Sequence, residues 1–399
     1  TTLKVQEKLN EAVVLYNKAI AIKPDFPEVH NNLGLALKDI GKLDEAVKAV
    51  KKAFTIKPDY AEAYNSMGVI LQDQGKLDEA IKAYEKAISI DPDYALAHLS
   101  LSFSLLNSGR VAEAFDKYEW RFKTLTGLSD KRQFLKPLWQ SKNCLRGKRI
   151  LLWSEQGVGD TVKWASRISS VATQAGYCLL ECQKKIAPLL ARSFPNIEVR
   201  AENRSSDETR DDFDYHLPLG SLYKQFLPEM LHEPRAAKFL IPDPTRVSFW
   251  KERLKSFGHG PYIGISWKSS NMSASRLPNY APISAWLPVL KLPGVTFVNL
   301  QYKDFADDLI KIQNEFGVIV HNFDDLDQYN ELDEVAALTA ALDIVVSVAN
   351  LVPTISAGVG VSTKLIVWRQ SSGNNILNNP VGPSLDFFER DTTEPWDGI

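Results

Sequence analysis

The first third of the chain carries a helical pattern of small and apolar residues that repeats every 34 positions. Four series keep this interval: Ala12, Ala46, Ala80 and Ala114; Ala19, Ala53 and Ala87; Gly41, Gly75 and Gly109; and Pro24, Pro58 and Pro92. The alanines allow helices to approach closely, the glycines turn the chain between two helices, and the prolines end the second helix. The pattern therefore predicts repeated pairs of antiparallel helices.

A 34-residue period of this composition is typical of tetratricopeptide repeats. Three full repeats are predicted at 27–60, 61–94 and 95–128, after the second helix of an earlier repeat at 1–24. In such arrays the first helix of each pair lines the concave face. Polar residues at those positions are Glu28, Asn31, Lys38, Asp39, Glu62, Asn65, Gln72 and Asp73. The array is either a groove for a peptide or partner protein, or a spacer for the part that follows.

Beyond the repeats, the pattern changes to short apolar strands that alternate with helices. The first such unit is an apolar run at Arg149–Trp153, a turn with Gly157 and Gly159, and a helix predicted over 161–175. A turn at the carboxyl end of a first strand is where open α/β sheets bind ligands. The glycine pair alone is weak evidence, because many such turns use glycine only to change direction.

The alternation runs through two halves, which predicts two parallel sheets with right-handed crossovers. Pro242 and Pro244, followed by a short helix, mark a connector between the halves. The fold class is thus an α-solenoid followed by α/β. The predicted segments are repeats at 1–128, a connector at 129–147, an α/β domain at 148–243, a connector helix at 244–258 and a second α/β domain at 259–399.

Composition narrows the class of protein. The formal charge of −2 and the absence of a basic block argue against a nucleic-acid partner. No apolar run reaches the length that spans a bilayer, and the first residues do not have the layout of a signal peptide. Cys144, Cys178 and Cys182 form neither a disulfide framework nor a metal-binding spacing, and the last two are predicted as core residues. We expect a cytoplasmic protein without a metal.

Several segments carry a family resemblance: YEWRF at 118–122, RGKRILLWSEQGVGDT at 146–161, IGISWKSSN at 263–271 and ELDEVAALTAALDIVVSV at 331–348. Their order resembles bacterial tetratricopeptide-repeat proteins with a glycosyltransferase domain, similar to heptosyltransferases and more distantly to O-GlcNAc transferases. The resemblance implies a GT-B fold, in which two Rossmann-like domains face each other across a cleft. It also implies inverting transfer from a nucleotide-sugar donor, without metal or other cofactor, to a protein or glycan recruited by the repeats.

The resemblance also implies a set of catalytic residues. Asp160 matches the position of the family's catalytic base, although an aspartate at a helix start is also a good N-cap. Glu155 is a second candidate, and its alternative role is to close the turn. His216 falls at a strand end that faces the cleft and is either catalytic or structural.

The residues implied for the nucleotide-sugar are Gly157, Gly159, Trp267, Lys268, Ser269, Ser270, Arg276, Gln301, Asn350 and Thr354. Lys268 would hold the diphosphate, with Arg276 adding charge. Gln301 would contact the nucleotide, unless it only caps its strand. A helix that begins near Asn350 would direct backbone N–H groups at the donor.

The stretch at 350–354 departs from the family pattern. Leu351 and Val352 replace hydroxyl residues, and Thr354 stands where the family has a histidine. These changes remove polar groups from the expected sugar pocket. Two functions therefore stay open, a glycosyltransferase or a non-catalytic scaffold that keeps the fold. Neither the donor sugar nor the nucleobase follows from the sequence.

Overall fold

The computed structural model of this 399-residue chain describes residues 2–125, 127, 131–204, 207–226, 238–269, 280–368 and 385–390. The described residues before Lys131 form one compact unit, and those from Lys131 onward form a second. The first unit is helical, and the second contains two parallel sheets with helices.

The first unit consists of successive helix pairs, as the 34-residue period predicts. Its helices are α1 (Thr2–Ile22), α2 (Pro27–Asp39), α3 (Leu43–Ile56), α4 (Ala61–Asp73), α5 (Leu77–Ile90), α6 (Ala95–Asn107) and α7 (Val111–Tyr118), followed by a 3₁₀ turn at Glu119–Lys123. Gly41, Gly75 and Gly109 adopt positive φ between the helices of a pair, where a side chain would be strained. The repeat pattern thus specifies both the helices and their turns.

Two glycines allow the helices of a pair to pack closely. A Cβ on Gly34 would lie 2.4 Å from a methyl of Val50, and one on Gly68 would lie 2.5 Å from the ring of Tyr84. Tyr84 is fully buried, and its hydroxyl donates to Gln72 Oε1 at 3.2 Å. The ring therefore has little room to move away from a larger residue.

We predict that Gly68→Ala destabilises the repeats by about 1–3 kcal/mol, because the new methyl overlaps the Tyr84 ring. Thermal unfolding followed by helical circular dichroism measures the change. Glu62→Ala, at an exposed site on the same helix, is the matched control and should leave the transition unchanged. If the thermal unfolding midpoint of Gly68→Ala equals that of the control, the contact between this helix and the Tyr84 ring tolerates a methyl group.

The second unit begins with a four-stranded parallel sheet in the order β3-β2-β1-β4. Its strands are β1 (Arg149–Trp153), β2 (Tyr177–Cys182), β3 (Glu198–Ala201) and β4 (Tyr215–Pro218). The helices are α8 (Val158–Ala165), α9 (Ile168–Ala172), α10 (Ala187–Ser193) and α11 (Leu222–Gln225). Ile150, Leu151 and Leu152 are fully buried, as expected for a parallel strand covered on both faces. Cys178 and Cys182 are buried in β2, which confirms their place in the core.

Residues 131–147 pack on this sheet. Leu138 forms a parallel bridge with His216 of β4, and Trp139 is buried beside Phe226. The side chain of Arg132 is buried between Glu181, whose Oε2 lies 2.7 Å from Nη1, and Asp207. Because a buried guanidinium is costly without partners, these carboxylates hold the segment in place. Residues 131–226 are called the first lobe below.

The second sheet has six parallel strands in the order β10-β9-β8-β5-β6-β7. They are β5 (Tyr262–Ser266), β6 (Thr296–Asn299), β7 (Val320–His321), β8 (Ile344–Val348), β9 (Ser362–Trp368) and β10 (Leu385–Arg390). The helices are α12 (Pro244–Lys255), α13 (Leu287–Leu290), α14 (Ala306–Phe316), α15 (Leu332–Ala340) and α16 (Leu351–Val359). Residues 244–390 are called the second lobe.

The structure differs from the sequence prediction in some elements. The helix predicted over 161–175 is interrupted at Ser166 and Arg167, where the Ser166 hydroxyl donates to the carbonyl of Lys163 at 2.8 Å. Such a side-chain bond competes with the helical backbone pattern. Strand β10 was not predicted, although it pairs along β9 from Leu385 to Arg390.

Candidate functional site at two strand-order reversals

Each sheet reverses its strand order next to its first strand. In the first lobe the chain runs from β1 to β2 and β3, then returns to place β4 on the other side of β1. In the second lobe β6 and β7 lie on one side of β5, whereas β8, β9 and β10 lie on the other. Open α/β sheets bind ligands at the carboxyl ends of the strands beside such a reversal. The loops after β1, β5 and β8 are therefore the candidate site.

In the first lobe, Glu155 closes the reversal. Its side chain is 2% exposed, and Oε1 accepts a hydrogen bond from the Gly220 N–H at 3.0 Å. A Cβ on Gly220 would lie 2.6 Å from that oxygen, so glycine is needed for the approach. The bond joins the loop after β1 to the loop after β4. This geometry favours the turn-closing role of Glu155 over a catalytic one.

Asp160 lies in the first turn of α8, and Gly157 is the N-cap. The N-cap alternative for Asp160 is therefore wrong, since the aspartate is three residues inside the helix. Its side chain is half-buried, and Oδ2 lies 3.5 Å from the position a Cβ would take on Gly157. A carboxylate there is stabilised by the positive end of the helix dipole. Asp160 thus presents a charged oxygen at the carboxyl end of β1.

His216 is part of the packing of the first lobe. Its Nδ1 accepts from the Trp153 indole at 3.2 Å, and its ring lies 4.6 Å from that of Phe134. Burial, helped by the nearby Arg132 charge, lowers the pKa of His216 to about 4. Both the contacts and the neutral state favour the structural alternative for this residue.

In the second lobe, Gln301 organises the loop after β5. It is fully buried, and its Oε1 accepts from the Ser266 hydroxyl at 3.1 Å and from the backbone N–H groups of Trp267 and Lys268 at 3.2 and 3.0 Å. Direct contact with a nucleotide is not available to a side chain so enclosed. Gln301 instead fixes the loop that would face a ligand.

Asn350 joins β8 to β5 and caps α16. Its Oδ1 accepts from the Val352 N–H at 2.8 Å, while its Nδ2 donates to Ser266 Oγ at 2.8 Å and to the Lys268 carbonyl at 3.1 Å. The helix begins at Leu351, as predicted. Pro353 has no N–H, so Asn350 and Pro353 together leave few backbone donors in the first turn. The expected amide cradle for phosphates is consequently reduced.

Lys268 is engaged inside its own lobe. Its Nζ lies 2.6 Å from Asp308 Oδ2 and also donates to the carbonyl of Asp304. The same carboxylate oxygen accepts from the Trp267 indole at 2.8 Å, and Trp267 is buried in the core of the lobe. In this arrangement the polar groups of both side chains are engaged within the second lobe.

The other predicted residues fall in different surroundings. Ser269 is buried, and Thr354 is half-buried one turn into α16. Gly157 and Gly159 lie at the start of α8. Ser270 and Arg276 lie outside the described residues.

The two lobes meet where α8 and α16 begin. A Cβ on Gly159 would lie 3.9 Å from Leu351 Cδ1, so the two helix starts lie side by side. Elsewhere between the lobes, Lys185 of the first lobe donates to the Tyr329 carbonyl of the second lobe at 3.0 Å, and Arg192 pairs with Asp333. The sequence resemblance placed Asp160 and Asn350 in one cleft, and the structure brings their loops together.

Three residues that surround the candidate site escaped the sequence analysis: Asp308, Gly220 and Lys163. Asp308 neutralises Lys268 through a contact that spans 40 positions, which no local pattern reveals. Lys163 could have been found, because it lies three residues after Asp160 on the same helix and is the charged residue among apolar neighbours.

Two polar residues stand out in the repeats. Asn31 and Asn65 occupy equivalent positions one repeat apart, on the first helices of their pairs. The side-chain oxygen of each is buried without a hydrogen-bond partner among the described residues. Because buried polar atoms are normally paired, these oxygens indicate acceptors that a bound chain or water could satisfy.

Among the residues placed in the structure, no helix has the length and apolar character needed to cross a membrane. The same part of the chain contains no cluster of three or more histidine, cysteine, aspartate or glutamate side chains suited to a metal ion.

Comparison with known proteins identifies the helical part. A tetratricopeptide repeat family model matches residues 61–94, and a second TPR model matches 4–41 and 36–75. The N-terminal region is a tetratricopeptide array. Such arrays are protein-interaction modules.

The chain is also similar to Protein FlbA of Caulobacter vibrioides, at 35% identity over 260 residues. That match covers 61% of this chain and 44% of FlbA, so the chain spans less than half the length of this relative. Among solved structures, a crystal structure of MamA is 27% identical, covering 31% of this chain and 75% of that one at a TM-score of 0.27. MamA from Desulfovibrio magneticus RS-1 is 21% identical, with coverages of 30% and 68% and a TM-score of 0.28.

The lowered pKa of His216 predicts a pH-dependent stability. Between its ordinary value of 6.5 and about 4, the unfolded chain binds a proton that the folded chain does not. The free energy of unfolding therefore decreases as the pH is lowered through this window. The expected loss is about 2–3 kcal/mol at about pH 4.5 relative to about pH 7. Urea unfolding followed by tryptophan fluorescence at both pH values measures this loss.

His216→Gln removes the titrating group, so that variant should lose less stability than the wild type over the same window. His259→Gln changes an exposed histidine and should retain the wild-type loss. Equal losses of folding stability in His216→Gln and the wild type would show that His216 is not the group responsible for the pH dependence.

Proposed function

We propose that this protein is a glycosyltransferase of the GT-B type whose repeats recruit a protein acceptor. The observation that carries the proposal is the close approach of α8 and α16, with Asp160 at one helix start and Asn350 at the other. The loops after β1 and β8, each beside a strand-order reversal, lead into these two helices. Ligands of open α/β sheets bind at such loops, and this arrangement suits a nucleotide-activated sugar.

In the proposed reaction, the carboxylate of Asp160 takes the proton of an acceptor hydroxyl. The hydroxyl oxygen forms a bond to the anomeric carbon of the sugar, on the face opposite the phosphate. The bond from that carbon to the phosphate oxygen breaks, and its electron pair leaves with the nucleotide. Attack from the opposite face inverts the anomeric configuration, and general-base catalysis of this kind contributes about 10²–10⁴-fold.

Asp160→Asn should reduce the transfer rate by about 10²–10⁴-fold, because the amide cannot accept the proton. Nucleotide affinity, measured by calorimetry, should stay within about threefold of the wild type. Asp211→Asn removes an exposed carboxylate from the same lobe and serves as the control. Unchanged turnover in Asp160→Asn would exclude Asp160 as the base.

The repeats are proposed to hold an extended segment of the acceptor protein. Asn31 and Asn65 lie one repeat apart on the helices that line the concave face of such arrays, and each has an unsatisfied side-chain oxygen. A peptide backbone supplies N–H groups that match such acceptors. A polypeptide therefore suits this face better than a free sugar.

The double variant Asn31→Ala, Asn65→Ala should raise the KM for a protein acceptor by about tenfold, since two hydrogen bonds are lost. Hydrolysis of the nucleotide-sugar in the absence of acceptor should not change. Asn32→Ala, at the exposed neighbouring position, is the control for the helix. If acceptor KM stays at the wild-type value, the repeats do not bind the acceptor through these amides.

A second candidate is a non-catalytic scaffold, and specific contacts favour it. Lys268 is paired with Asp308, and the first turn of α16 is capped by Asn350 and contains Pro353. A panel of UDP-, GDP-, ADP- and CMP-sugars in a thermal-shift assay separates the two functions. A ligand at 100 times its Kd stabilises the protein by about 2.7 kcal/mol. If no nucleotide-sugar shifts the midpoint at millimolar concentration, the scaffold is the correct function.

A further inference from the structure

Lys163 lies on the face of α8 that adjoins the second lobe, and no other described residue pairs with its ammonium group. It follows Gly159 by four residues on α8, and residues four apart share a helix face. The face that carries Gly159 is the one that meets Leu351 of the second lobe. The lysine side chain is half-buried there, and within the described structure it makes no hydrogen bond or salt bridge.

Its electrostatic surroundings point to an anionic ligand. Burial lowers the pKa of Lys163, while the attraction of Asp160, one turn earlier, acts in the opposite direction. An ammonium group withdrawn from water without a partner is unfavourable. A negatively charged ligand in the cleft would remove that penalty.

Two of the other groups expected to bind phosphate, Lys268 and the start of α16, are engaged within the second lobe. Asp308 holds Lys268, and Asn350 takes the Val352 N–H in the first turn of α16. Among the described residues, Lys163 therefore remains as a cation for a ligand beside this contact, on the helix that also carries Asp160.

We propose that Lys163 binds the phosphate group of the nucleotide-sugar donor and stabilises the departing nucleotide. This inference rests on the proposed transferase function. When the bond from the anomeric carbon to the phosphate oxygen breaks, the electron pair stays on that oxygen, and the Lys163 ammonium offsets the new charge. Lys163 donates no proton in this step. A charge-assisted hydrogen bond of this kind strengthens as the negative charge grows.

The test compares nucleotide binding by the wild type, Lys163→Met, Lys163→Arg and Lys184→Met. Lys184 is an exposed lysine of the same lobe and controls for the loss of one charge. Calorimetry with UDP, GDP, ADP and CMP first finds a nucleotide that the wild type binds. Lys163→Met should bind it about 10- to 100-fold more weakly, whereas Lys163→Arg and Lys184→Met should stay within about threefold.

The matching nucleoside, which lacks phosphate, separates charge recognition from a structural effect. Its affinity should be equal in the wild type and Lys163→Met, and circular dichroism should show both folded. If Lys163→Met does not fold, Lys163→Gln takes its place in the same comparison. Equal nucleotide affinity in the neutral variant and the wild type overturns the inference and leaves the transferase proposal standing. A wild type that binds none of the four nucleotides overturns both.

Discussion

The loops of the candidate site depend on buried polar side chains that join the ends of neighbouring parallel strands. Asn350 connects the end of β8 to the loop after β5, and Gln301 connects the end of β6 to the same loop. In the first lobe, Glu155 makes the equivalent connection between the loops after β1 and β4. Where parallel strands end, backbone groups lose their ladder partners, and each must find another. Losing one of these side chains would leave buried donors unsatisfied, which costs more than the bond itself contributes.

This constraint determines which residues remain for chemistry. A side chain that satisfies three backbone or hydroxyl groups, as Gln301 does, cannot also turn toward a ligand. The charged residues of the candidate site are carried on α8, where Asp160 lies in the first turn and Lys163 in the last. The candidate site therefore combines a polar support at the strand ends with charged residues on one helix.

Much of the fold could be predicted from the sequence because its signals are local. The repeat period specifies the helix pairs, and the helix predicted to begin near Asn350 begins at Leu351. Element bounds were less accurate: the helix predicted over 161–175 divides into α8 and α9. The roles of individual site residues could not be predicted in the same way. Whether Lys268 faces a ligand depends on Asp308, and the environment of Glu155 depends on Gly220, both distant in the chain.

The contacts that argue against phosphate binding in the second lobe differ in strength. The side chains of Lys268 and Asp308 are 20% and 26% exposed, so their ion pair is partly solvated. A multiply charged phosphate would have to displace the Asp308 carboxylate, whose same oxygen also accepts from the Trp267 indole. Pro353 differs, since the missing N–H cannot be restored by any rearrangement. The ion pair of Lys268 is thus compatible with either function, whereas Pro353 removes a backbone donor from the start of α16. In a transferase, side chains would have to bind the phosphate in place of that donor, so a cation on α8 supports the transferase proposal.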